Sequence, residues 1–146
     1  MFKDQIDVLL VEDNKSDAKL TIRTLEKYNM ANNLVHVIDG AQALDFIFAR
    51  GEFEGRNMAN KPKLILLDIK MPKVSGLEVL DILKSDERTK SIPVVMITSS
   101  KEEKDIVDSH KLGVNSYVVK PVVFADFSKT IGDLASYWLV INNTPH

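Results

Sequence analysis

The chain has 146 residues, enough for one domain with a buried core, and its 45% hydrophobic and 27% charged residues exclude a disordered chain. Nineteen Lys and Arg against twenty-one Asp and Glu leave a net charge of -2, so no overall basic field draws nucleic acid or an anionic membrane surface. No stretch approaches the roughly 18 apolar residues of a membrane span, and nothing resembles an export signal. The absence of cysteine removes disulfide and thiolate chemistry, suits a reducing compartment, and makes the cytoplasm the expected location.

The first apolar run, residues 6–11 (IDVLLV), is rich in Val, Ile and Leu without alternation, the pattern of a strand buried on both faces. It ends in Glu12 and Asp13. A helical stripe of Ala18, Ile22 and Leu25 follows. Residues 34–38 (LVHVI) alternate around His36 and read as an edge strand, and Ala43, Phe46 and Ile47 mark a second helix. Residues 50–61 (RGEFEGRNMANK) are polar and contain two glycines, which reads as a surface insertion rather than a recognition loop.

The third strand, residues 64–67 (LILL), runs into Asp68, and Leu77, Leu80 and Leu83 form the next helical stripe. Residues 93–97 (PVVMI) lead to Thr98 and Ser99, followed by a stripe of Ile106, Val107 and Leu112 that stops at Gly113. Residues 117–119 (YVV) lead to Lys120 and Pro121. The last stripe is Phe127, Ile131, Leu134 and Trp138. Five strands alternating with five helices predict an α/β fold, a doubly wound parallel sheet with helices on both faces, in one domain over residues 1–146.

In such a sheet ligands bind beyond the carboxyl ends of the strands, where the strand order reverses. The residues expected there are Glu12, Asp13, Asp68, Thr98, Ser99 and Lys120. Singly, each has an ordinary explanation as a cap, a turn former, a β-branched strand residue or a solvated charge. As a group on one edge they indicate chemistry. Two carboxylates about 4 Å apart at an effective dielectric near 20 repel by roughly 4 kcal/mol, so the acids imply a divalent cation. An all-oxygen set points to Mg²⁺, and none of His36, His110 and His146 lies at ligand spacing from it. Mg²⁺ beside a carboxylate, a hydroxyl and a lysine matches phosphoryl transfer, with Asp68 as the acceptor.

These residues resemble the receiver domains of two-component response regulators. The matching elements are the acidic pair in LLVEDN, the phosphoacceptor context LLDIKMPKVSG, the threonine in VMITSS and the pair in YVVKP, which span the chain in the family's order. The lengthened loop before the third strand and the SYWL segment are most similar to the stand-alone regulators of bacterial phytochrome-type sensor kinases. The resemblance implies a flavodoxin-like strand order 2-1-3-4-5 and a phosphoacceptor signalling protein that catalyses only its own phosphorylation and dephosphorylation. It implies that Asp68 is phosphorylated by a sensor histidine kinase, that Glu12 and Asp13 form the acidic pocket, and that Asp13, Asp68 and the backbone carbonyl of Lys70 ligate Mg²⁺. Thr98 and Tyr117 become the switch pair, Lys120 meets a phosphoryl oxygen, and the Lys120–Pro121 bond is expected to be cis.

Lys70 and Ser100 depart from commoner family patterns and flank the route of an attacking water, so the phosphorylated state's lifetime is expected to depend on them. The eight residues after Trp138 leave no room for an output domain, which predicts signalling by contact. The expected face comprises the fourth helix, fifth strand and fifth helix, with Tyr137, Leu139 and Val140 as an apolar patch for homodimerisation. Two other enzyme-like readings are weaker. A haloacid dehalogenase-type phosphatase wants an acid where Lys70 stands, and a nucleotide- or flavin-binding domain wants glycines where VEDNKSD stands. A receiver that folds but is never phosphorylated would not need the full acid, Thr98 and Lys120 set.

Overall fold

The computed structural model describes residues 6–27, 31–71, 73–99 and 116–120. Strands β1 (Val8–Val11), β2 (Leu34–Val37), β3 (Leu64–Asp68), β4 (Val94–Thr98) and β5 (Ser116–Val119) form one parallel sheet in the order β2-β1-β3-β4-β5. This is the doubly wound order 2-1-3-4-5, and the order reverses between β1 and β3. The described helices are α1 (Lys15–Glu26), α2 (Gly40–Ile47) and α3 (Gly76–Ser85).

The non-alternating runs are strands because both of their faces are covered. Val8, Leu10, Leu64, Leu66, Val95, Ile97 and Val118 pack with Ala18 and Leu25 of α1 on one side. Leu9, Val11, Ile65, Leu67, Val94 and Met96 pack with residues of α2 and α3 on the other. Each helix starts on a short polar side chain: Asn14, Asp39 and Ser75 accept from the backbone N–H groups of Asp17, Gln42 and Glu78. Each cap contributes about 1 kcal/mol and fixes where its helix leaves the ligand edge of the sheet.

The insertion at residues 50–61 contains a short 3₁₀ turn, Gly51–Phe53, and is anchored rather than loose. Phe53 meets Phe46 edge-on, with ring centroids 5.2 Å apart. The buried Arg56 guanidinium lies 3.8 Å from the Phe46 ring centroid and donates to the Phe46 and Asn60 carbonyls. Burial lowers the Arg56 pKa from its usual value. The expected fourth and fifth helices, Ser100, the Lys120–Pro121 bond and the patch of Tyr137, Leu139 and Val140 lie outside the described residues.

Candidate functional site

Alternation along the strands sets which side chains meet. Val8 and Leu10 lead to Glu12, Leu64 and Leu66 lead to Asp68, and Val118 leads to Lys120, all on the α1 side of the sheet. Glu12 and Asp68 are buried, whereas Asp13 is exposed at the rim. One carboxylate oxygen from each of Glu12, Asp13 and Asp68 falls within 4.8 Å of the other two. The expected acidic triad therefore assembles at the point where the strand order reverses.

Lys120 closes this cluster. Its Nζ lies 2.9 Å from both Glu12 Oε1 and Asp68 Oδ2, and its own N–H donates to the Thr98 carbonyl at 2.7 Å. Nζ also donates to Glu12 Oε2 and to Asp17 Oδ2, each at 3.2 Å. Asp17 was not an expected site residue. It comes into reach because the Asn14 cap starts α1 immediately above the pocket, which puts the third residue of the first turn over Lys120. Asn14 also ties the acidic turn together, its N–H donating to Glu12 Oε2 at 3.1 Å.

Two residues past Asp68, the N–H of Lys70 points to Asp68 Oδ1 at 3.4 Å, and the Lys70 side chain is exposed. The β3–α3 loop is seated on α2, where Lys73, at φ 67°, pairs with Asp39 at 3.5 Å. Thr98 ends β4 on the opposite alternation, after Val94 and Met96, and its buried Oγ1 has no hydrogen-bond partner among the described residues. Tyr117 occupies β5 opposite Met96, and its side chain lies outside what is described.

Burial raises the Glu12 pKa from an ordinary 4.5 to about 7, and the hydrogen bond and negative charge of Asp68 push the same way, while Lys120 pulls it down. Burial alone would lower the Lys120 pKa, but its hydrogen bonds to Asp68 and Glu12 and their charges outweigh that and raise it. Lys120 thus stays an ammonium while Glu12 titrates near neutrality.

The sign for stability follows from linkage. Glu12 holds its proton more tightly folded than unfolded, so its stabilising contribution is present below about pH 4.5 and is lost as pH rises through about 7. Urea unfolding without metal should show a loss on the order of 2 kcal/mol between about pH 5 and 8. Saturating Mg²⁺ should abolish most of that slope, because a divalent cation favours the ionised carboxylate. A slope that Mg²⁺ leaves unchanged would contradict this assignment of the acids.

The donor set fits a hard cation: three carboxylates converge, no imidazole or thiolate among the described residues joins them, and Lys120 alone cannot neutralise them. The orphaned Thr98 hydroxyl at the same edge fits an oxyanion arriving there.

The sequence profile of the response regulator receiver domain matches residues 8–132, and the chain belongs to this family. The probable methanogenesis regulatory protein FilR2 of Methanothrix harundinacea is 38% identical over 143 residues, 98% of this chain and 90% of its own. The response regulator Rcp1 of Synechocystis sp. is 38% identical over 132 residues, 90% of this chain and 88% of its own. Among solved structures, the bacteriophytochrome response regulator RtBRR is 50% identical with a TM-score of 0.86, covering 97% of this chain and 84% of that one. The Mn²⁺-bound form of Rcp1 has a TM-score of 0.73 at 36% identity, with 97% of each chain covered.

Proposed function

We propose that this chain is a single-domain response regulator that accepts a phosphoryl group from a sensor histidine kinase onto Asp68 in a Mg²⁺-dependent reaction. The observation that carries the reading is the buried Asp68 carboxylate, 2.9 Å from Lys120 Nζ and grouped with those of Glu12 and Asp13, beside a strand that ends in the Thr98 hydroxyl, which has no partner among the described residues. Asp13, Asp68 and the Lys70 carbonyl would hold Mg²⁺, with Glu12 beside them. Bound there, the ion supplies the positive charge that a transferring phosphoryl group needs on its oxygens. That Rcp1 has a Mn²⁺-bound form supports a divalent cation in this reading.

In this mechanism a carboxylate oxygen of Asp68 attacks phosphorus as the bond to the donor histidine breaks, and an acyl phosphate results. Lys120 moves its ammonium from Asp68 to a phosphoryl oxygen. Thr98 donates its hydroxyl to another, which draws the end of β4 inward and carries the change to Tyr117 on β5. The exposed Lys70 side chain flanks the route of the attacking water and sets the lifetime of the phosphorylated state. Partners then read a shifted surface made by the fourth helix, β5 and the fifth helix, where a second copy of the chain can also dock. Val119 of β5 is 41% exposed, which supports an accessible strand there.

The similarity to RtBRR supports a phytochrome-type kinase as donor. Matches over about nine-tenths of the relatives' own lengths support a receiver acting without an output domain. The cytoplasm is the location this reading assigns, in keeping with a cysteine-free chain. No helix among the described residues is long and apolar enough to cross a membrane.

Incubation with acetyl phosphate and Mg²⁺ should add one phosphoryl group to the intact mass, labile to hydroxylamine, and EDTA should prevent it. An adduct that forms equally well in EDTA would refute the Mg²⁺-dependent reading.

A further inference from the structure

His36 has no role in the chemistry above, yet it touches the acidic turn. It stands on the edge strand β2, and its Nε2 lies 2.8 Å from the main-chain oxygen of Glu12. A carbonyl only accepts, so Nε2 is the donor and carries the proton. The bond fills a place that the sheet leaves open. The β1–β2 pairing ends at Val11 and Val37, and the Glu12 N–H still donates to the Val37 carbonyl at 3.1 Å. The next rung of a parallel pair would come from the N–H of Asp39, but Asp39 has already turned to cap α2. The N–H of Ile38 is taken by Gln42 Oε1 at 2.8 Å. Among the described residues no main-chain N–H reaches the Glu12 oxygen, and the His36 side chain supplies the donor instead.

We infer that His36 is a positioning residue for the metal-binding turn, acting through the Glu12 peptide. With both the N–H and the carbonyl of Glu12 held by β2, the peptide between Glu12 and Asp13 has one orientation. That orientation sends the Glu12 side chain inward to Lys120 and places the Asp13 carboxylate at the rim facing Asp68. Without the donor, the peptide gains rotational freedom and the acids converge less often. The inference rests on the reading that Glu12, Asp13 and Asp68 hold Mg²⁺.

Calorimetric titration of the full chain with Mg²⁺ alone tests it. His36→Phe keeps a planar aromatic ring and removes the donor, and should weaken Mg²⁺ binding about five- to tenfold. His36→Gln places an N–H the same number of bonds from Cα, and should restore affinity to within about twofold of the wild type. Val35→Ala, a neighbouring truncation on β2, should lower the melting temperature and leave Mg²⁺ affinity unchanged, which separates positioning from general loosening of the edge strand. Wild-type affinity in a folded His36→Phe protein would overturn the inference and leave the metal site standing, as would a Gln variant no better than Phe. If the wild type itself takes up no Mg²⁺, the metal site falls and the inference falls with it.

Discussion

Lys120→Met is expected to lower stability by about 3 kcal/mol at pH 8 and by much less at pH 5. Methionine preserves most of the aliphatic stem but removes the ammonium that contacts Glu12, Asp17 and Asp68. Two buried carboxylates would then face each other with no cation between them, and removing one member of a buried ion cluster strands the charges of the others. The Lys120 side chain is 17% exposed, which puts the expected loss at the lower end of the range for fully buried pairs. At pH 5 Glu12 carries a proton in the folded protein, so most of the repulsion is absent. Paired urea titrations at the two pH values measure this. A loss of equal size at both would mean that packing of the stem, and not charge, is what Lys120 contributes.

Gly76→Ala should cost about 3 kcal/mol and also impair phosphorylation, although residue 76 carries no chemistry. A Cβ at this position would lie 2.1 Å from the Asp68 carbonyl oxygen and 2.8 Å from Ile69 Cα. Both obstacles are backbone, so no side-chain rotation relieves the overlap, and either α3 or the end of β3 must shift. The Gly76 N–H donates to the Ile69 carbonyl at 3.0 Å, a bond that closes the loop carrying Lys70 back onto the strand. Displacement would therefore move Asp68 and the Lys70 peptide together. Gly51→Ala is the comparison: its φ of 60° makes alanine unfavourable by about 1 kcal/mol, but the contact there is the flexible Asp45 side chain, remote from the site. Phosphorylation should fall in the Gly76 variant and persist in the Gly51 variant. Equal phosphorylation in both would show that the loop tolerates movement.

Much of the site was legible because the strands are short and end abruptly. In LILLD the apolar run stops at the ligand edge, and the same break occurs at LLVED, VVMIT and YVVK, so each strand names its terminal residue. Parallel pairing in register then brings those termini together. The contacts that were not legible all depend on how a side chain leaves its element. Asp17 reaches Lys120 only because a cap at Asn14 sets the phase of α1, and an acid in a first helical turn is ordinarily explained by the helix dipole. His36 has no ligand spacing, yet it acts through a main-chain oxygen, which leaves no pattern in a sequence. Arg56 lies in a polar, aperiodic loop, and nothing in RGEFEGRNMANK distinguishes a cation buried on Phe46 from a solvated one.

The assignment of Asp68 is the claim on which the rest depends. The most direct test is to phosphorylate the wild type with acetyl phosphate and Mg²⁺, reduce the acyl phosphate with borohydride, and map the modified residue by peptide mass spectrometry beside Asp68→Asn. The expected result is a single modified residue, Asp68, and no adduct in the variant. A modified residue elsewhere, or an adduct of equal yield in Asp68→Asn, would contradict it.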